Sequence, residues 1–130
     1  MSSRTILTFG AVNGMIAVLL GAFGAHGLKD MLIATGRYDT YHLAVEYQFY
    51  HGLALLTTGI LSLTSSSKKY GYAGVSFTLG IFLFSGSLYL LAVLNKPVLG
   101  AVTPLGGIFF IVGWGSLLWG IVQNKKASPS

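Results

Sequence analysis

The chain has 130 residues, 53% of them hydrophobic and only 8% charged, and a formal net charge of +5. Soluble domains average about 25% charged residues, so this composition cannot clothe a water-exposed surface, and a chain this short cannot hide several all-round apolar helices from solvent. Its Lys and Arg residues stand singly or in pairs with no aromatic-interleaved patch, which argues against nucleic-acid binding, and the absence of Cys excludes disulfides, thiolate metal sites and a lipoprotein anchor.

Four apolar segments of membrane-crossing length follow one another: residues 6–25, 43–63, 71–94 and 104–122. A helix of about 20 mainly apolar residues crosses a hydrocarbon core about 30 Å thick. The fold class is therefore all-α: an integral membrane four-helix bundle in one transmembrane domain, with a short interfacial helix between helices one and two.

Segment one follows Arg4 and carries Asn13 together with Gly10, Gly14, Ala17 and Gly21 along one face. A cleaved signal peptide is the competing reading, because Ala22-Phe23-Gly24 has small residues at cleavage spacing. Against it, the apolar run exceeds the usual 7–15-residue h-region, and a discarded peptide has no use for Asn13 or a Gly-x-x-x-Gly pair. Between segments one and two, Leu28, Met31 and Leu32 alternate with Lys29 and Asp30 at helical spacing, which predicts the interfacial helix. Asp39 or Thr40 is the expected cap of the next helix. Ser65 to Lys69 reads as a polar turn, and Asn95-Lys96-Pro97 ends the third span. Thr103-Pro104 reads as an N-cap followed by proline at the first helical position. Residues 123–130 are expected to be a disordered polar tail on the cytoplasmic side.

The cations set topology. One side collects Arg4, Lys68, Lys69, Lys125 and Lys126, the other Lys29, Arg37 and Lys96. The richer side is expected in the cytoplasm, so both termini face inward and the chain is a multi-pass protein of the plasma membrane, the inner membrane of a bacterium. Glycine is abundant, with 18 residues, most of them inside the spans. Small residues let helices approach closely in lipid, where no hydrophobic force presses them together. Gly106, Gly107, Gly113, Ser116 and Gly120 give helix four small surfaces like those of helix one. Intramolecular packing and a homo-oligomer interface both fit this pattern.

Ionisable and polar groups at membrane depth are costly and tend to face the bundle interior. His26 falls at the outer end of helix one, Glu46, Gln48 and His51 in the outer half of helix two, and Ser85, Ser87 and Tyr89 from the middle to the outer half of helix three. These positions predict one cluster near the outer leaflet, with His26, Glu46, Gln48, His51, Ser85 and Tyr89 as candidate binding residues. The tyrosines of helix two, with Trp114 or Trp119, read as an interfacial belt.

The strings Gly21-Ala-Phe-Gly-Ala-His26, Glu46-Tyr-Gln-Phe-Tyr-His51, Phe84-Ser-Gly-Ser-Leu-Tyr89 and Thr103-Pro-Leu-Gly-Gly107, followed by Gly113-Trp114, resemble the small bacterial membrane proteins grouped as domain of unknown function 423, a grouping that includes transmembrane protein 256 of animals. The match covers nearly the whole chain in order. It implies a four-span bacterial membrane protein and implies no activity.

Two classes of function stay open: a structural or interaction bundle with a polar clasp near the outer leaflet, and a small-molecule or ion-binding protein with an outward polar pocket. No catalytic motif is present: there is no His-Glu-x-x-His pair, no phosphate-binding loop and no Gly-x-Ser-x-Gly elbow. No cofactor is expected, because His26 and His51 lack a metal or haem spacing signature. The expected partner is the lipid bilayer, with a second copy of the chain as a further candidate.

Overall fold

The structure, a computed structural model, describes residues 1–124. Helix α1 (Ser3–Ala25) leads through the short α2 (Lys29–Ala34) to α3 (Tyr38–Leu63). Helix α4 (Lys68–Gly80) then passes through a π-helical turn, Ile81–Ser85, into α5 (Gly86–Leu94) without leaving its rod. A 3-10 turn, Pro97–Ala101, precedes α6 (Thr103–Asn124). The rods run up, down, up and down. α1 packs along α3, α6 packs along the α4–α5 rod, and α3 joins the two pairs.

The helix ends have local causes. Ser2 caps α1 by accepting from the Thr5 N–H at 3.2 Å, and Ser67 caps α4 by accepting from the Lys69 N–H at 3.3 Å. α3 starts earlier than expected, at Tyr38. Neither Asp39 nor Thr40 caps it, and Asp39 sits in the first turn, where the helix dipole favours a carboxylate. Asn95 ends α5 in the left-handed conformation at φ 51°, and its side-chain oxygen accepts from Arg37 Nε at 2.9 Å. Thr103 does not cap α6, because the 3-10 turn already leads into that helix. Its hydroxyl lies 2.6 Å from that of Ser87 instead. Gln123 and Asn124, expected in the polar tail, complete α6, and residues 125–130 lie outside the described residues. The short helix expected between helices one and two is present as α2, whose Leu32 is buried beside Tyr41 and Ala92.

Among the described residues, three stretches are long and apolar enough to cross a membrane: Ser3–Ala25, Lys68–Leu94 and Pro97–Asn124. α3 matches them in length, at 26 residues, but polar side chains in its first half lower its hydropathy.

Glycine sets the spacing within both helix pairs. On α6, Gly106, Gly113 and Gly120 recur every seventh residue and receive Phe84, Phe77 and Tyr70, which recur every seventh residue on the opposing rod. A Cβ at Gly113 would lie 2.6 Å from the Phe77 ring, and one at Gly120 would lie 2.8 Å from that of Tyr70. In return, Phe110 of α6 lies against Gly80. A seven-residue repeat keeps one seam facing the partner along both helices, as in left-handed coiled-coil packing. Between α1 and α3 the contact is backbone on backbone: a Cβ at Gly10 would lie 2.9 Å from the Leu56 nitrogen. Gly14, expected to be equally tight, has nothing within 4 Å of its Cβ position and borders an open groove between α1 and α3.

Candidate functional site

Asn13 on α1, Gln48 on α3 and Tyr89 on α5 form a hydrogen-bond chain across three helices. Asn13 Nδ2 donates to the Phe9 carbonyl at 2.9 Å, Gln48 Nε2 donates to Asn13 Oδ1 at 3.2 Å, and the Tyr89 hydroxyl donates to Gln48 Oε1 at 2.7 Å. The Phe9 carbonyl fixes every orientation in this chain. A carbonyl can only accept, so the Asn13 amide must turn its nitrogen to it, which leaves an oxygen for Gln48 and, in turn, the Gln48 oxygen for Tyr89. Asn13 and Gln48 are buried, at 9% and 5% exposure. The Tyr41 hydroxyl adds a second α3–α1 tie by donating to the Leu20 carbonyl at 2.6 Å, and its ring meets that of Tyr89 edge-on.

His51 faces the other helix pair. Its ring stacks on Phe110 with centroids 3.5 Å apart and planes 7° from parallel, and Phe77, Tyr47 and Trp114 enclose it further. Trp114 Nε1 lies 3.2 Å from His51 Nε2, and the Tyr47 carbonyl lies 2.8 Å from His51 Nδ1. An indole N–H can only donate and a carbonyl can only accept, so the geometry selects the neutral tautomer with its proton on Nδ1.

Ser85, in the π turn, donates to the Ala44 carbonyl of α3 at 2.7 Å and is 1% exposed. Ser87 and Thr103 join α5 to α6 through their hydroxyls. Among the described residues, every buried side-chain nitrogen or oxygen has a hydrogen-bond partner.

The six residues singled out in the sequence therefore do not make one contiguous cluster. Gln48, Ser85 and Tyr89 line a single groove between α1, α3 and the π turn. His51 occupies a separate aromatic box against α6. Glu46 borders the outer groove of the α1–α3 pair, beside Ala17, Gly21 and Tyr50, and one of its carboxylate oxygens lies 3.8 Å from His42 Nε2. His26 lies exposed at the C-cap of α1, so the two histidines weighed as metal ligands do not face each other, and both ring nitrogens of His51 are already engaged. The cause is helical geometry: at about 100° per residue, the five positions from Glu46 to His51 turn the side chain about 140° around α3.

Asn13, notable in the sequence as a polar residue inside span one, is not among those six, although an amide at mid-span carries the same signal as Gln48. Trp114, expected in the interfacial belt, instead bonds His51 through its indole N–H, a donor that seeks a partner wherever water is scarce.

The arrangement is that of a polytopic helical membrane protein whose polar groups bond to one another inside the bundle. The family described as "Protein of unknown function (DUF423)" matches residues 20–107, and the chain belongs to it. A UPF0382 membrane protein of Staphylococcus epidermidis is 47% identical over 112 residues, covering 85% of this chain and 89% of that protein. The UPF0382 membrane protein YwdK of Bacillus subtilis is 43% identical over 112 residues, covering 85% and 90% respectively. The UPF0382 inner membrane protein YgdD of Escherichia coli K12 is 39% identical over 132 aligned positions, covering 100% of this chain and 98% of that protein. No solved structure matches the chain. The chain is thus an integral membrane protein of a family without an established activity.

Proposed function

We propose that the chain is a four-span protein of the bacterial inner or plasma membrane, with both termini cytoplasmic, and that its bundle is a structural or interaction module closed by a polar clasp. The observation that carries this reading is that every buried side-chain nitrogen or oxygen among the described residues has at least one hydrogen-bond partner, much of this pairing between helices that are distant in sequence. An unsatisfied polar group in hydrocarbon costs several kcal/mol, so groups that answer one another hold helices in register even where each bond adds only about 0.6 kcal/mol.

α3 counts as the fourth span in this reading because it has spanning length and lies between the other rods, which bury Tyr41, Gln48 and His51 on one face of its polar first half while Asp39, His42 and Glu46 stay at the margin. The cytoplasmic assignment follows the excess of Lys and Arg at the end bearing Arg4, Lys68 and Lys69. A homo-oligomer would have to use small positions that the monomer leaves open, such as Gly107 and Gly115 on α6, because Gly106, Gly113 and Gly120 are filled from within.

Two measurements test the proposal. An alkaline-phosphatase fusion after Ser130 should be inactive and one in the α2 region active, and the reverse pattern overturns the topology. Gln48→Leu, which orphans both Asn13 Oδ1 and the Tyr89 hydroxyl, should lower the melting temperature in detergent, and an unchanged midpoint removes the clasp.

A further inference from the structure

The Asn13–Gln48 pair holds more donors than the protein uses. A primary amide carries two N–H groups. Asn13 spends one on the Phe9 carbonyl and Gln48 spends one on Asn13, and among the described residues the second hydrogen of each has no acceptor. Both side chains are at least nine-tenths buried and both line a groove of about 270 Å³ between α1, α3 and the π turn, with Phe9, Ile16, Phe82 and Gly86 among its apolar walls. Hydrocarbon offers such a hydrogen no partner, so two amides that line one groove, each with an N–H to spare, can take an oxygen acceptor from outside the chain.

The geometry points to a binding site for a lipid-soluble carbonyl compound of the quinone class, its oxygen accepting from Asn13 and Gln48. Three features select that chemistry. A carbonyl oxygen has two lone pairs and can meet both donors at once. Asn13 lies about 15 Å along α1 from Ser3, close to the midplane of a core about 30 Å thick, too deep for the ester carbonyls of phospholipids at the interface. The groove is small for a whole drug-sized ligand, so it admits a ring-sized head against Phe9 and Phe82 and leaves an apolar tail in lipid. The inference is binding alone, and it is independent of the clasp: its failure leaves that reading intact.

Gly86 supplies the test. A Cβ at Gly86 meets nothing within 4 Å, so a side chain there starts in the open groove, and Gly86→Leu occupies that space while favouring helix formation. The purified full chain would be melted in detergent with decylubiquinone and, separately, with decylbenzene, which has the tail and a ring but no carbonyl. The expected result is a saturable rise in the wild-type melting temperature with decylubiquinone, none with decylbenzene and none for a folded Gly86→Leu variant. No rise in the wild type, equal rises with both probes, or the same rise in Gly86→Leu overturns the site.

Discussion

Trp114 and His51 are joined across the α3–α6 contact by one hydrogen bond, Nε1 to Nε2 at 3.2 Å, and that bond fixes the imidazole as an acceptor on the side facing α6. Because the opposite nitrogen is held by the Tyr47 carbonyl, the ring is a neutral, oriented spacer stacked on Phe110 rather than a free base. α3 thereby meets α6 through a polar contact set inside an aromatic box.

Replacing each partner separates the bond from the packing. Trp114→Phe keeps a ring but leaves His51 Nε2 without a donor, and it should cost about 1 kcal/mol, the range found for hydrogen bonds between membrane helices. His51→Ala also removes the surface on which Phe110 stacks, so its loss should be clearly larger. Equilibrium unfolding in mixed micelles would measure both. Equal losses would show that the ring contributes nothing beyond its bond.

The α4–α6 seam gives a contrast within one residue type. Gly113→Ala and Gly120→Ala each place a methyl group within 3 Å of an aromatic ring, whereas Gly107→Ala and Gly115→Ala meet nothing within 4 Å. The first pair should lower the melting temperature, and the second pair should leave it unchanged or raise it through helix propensity. If all four variants melt alike, the glycine notches are not what holds this pair of helices.

The helical class and three of the rods were legible because membrane-crossing length and apolarity are properties of a segment, not of its neighbours. α3 was legible by length, and its polar first half was visible too. What the sequence did not reveal was which neighbour each face of α3 would meet. Glu46 and Gln48 are two residues apart and therefore about 200° apart on the helix, so one turns toward Asn13 and Tyr89 while the other stays beside His42 at the margin. The expectation that polar groups at similar depth would satisfy one another holds for Gln48 and Tyr89. It does not extend to Glu46 or His26, because depth alone carries no azimuth. The heptad match of Tyr70, Phe77 and Phe84 with Gly120, Gly113 and Gly106 was present as spacing in both segments, but the antiparallel register that aligns them comes from the fold.

Glu46 and Gln48 furnish the sharpest comparison, since the sequence alone makes the carboxylate the more costly residue to lose. In the structure the Glu46 side chain is 43% exposed and lies 3.8 Å from His42 one turn earlier on the same helix, so this contact ties no second helix to α3. Glu46→Ala should therefore shift stability by no more than about 0.5 kcal/mol, the usual range for substitutions outside a packed or bonded site. Gln48→Ala breaks two bonds at once, leaves Asn13 Oδ1 and the Tyr89 hydroxyl unpaired within the bundle, and should cost about 1 to 3 kcal/mol. The two variants, unfolded side by side in the same detergent, give a direct ranking. A larger loss for Glu46→Ala than for Gln48→Ala would mean that the carboxylate, and not the amide chain, ties α3 into the bundle.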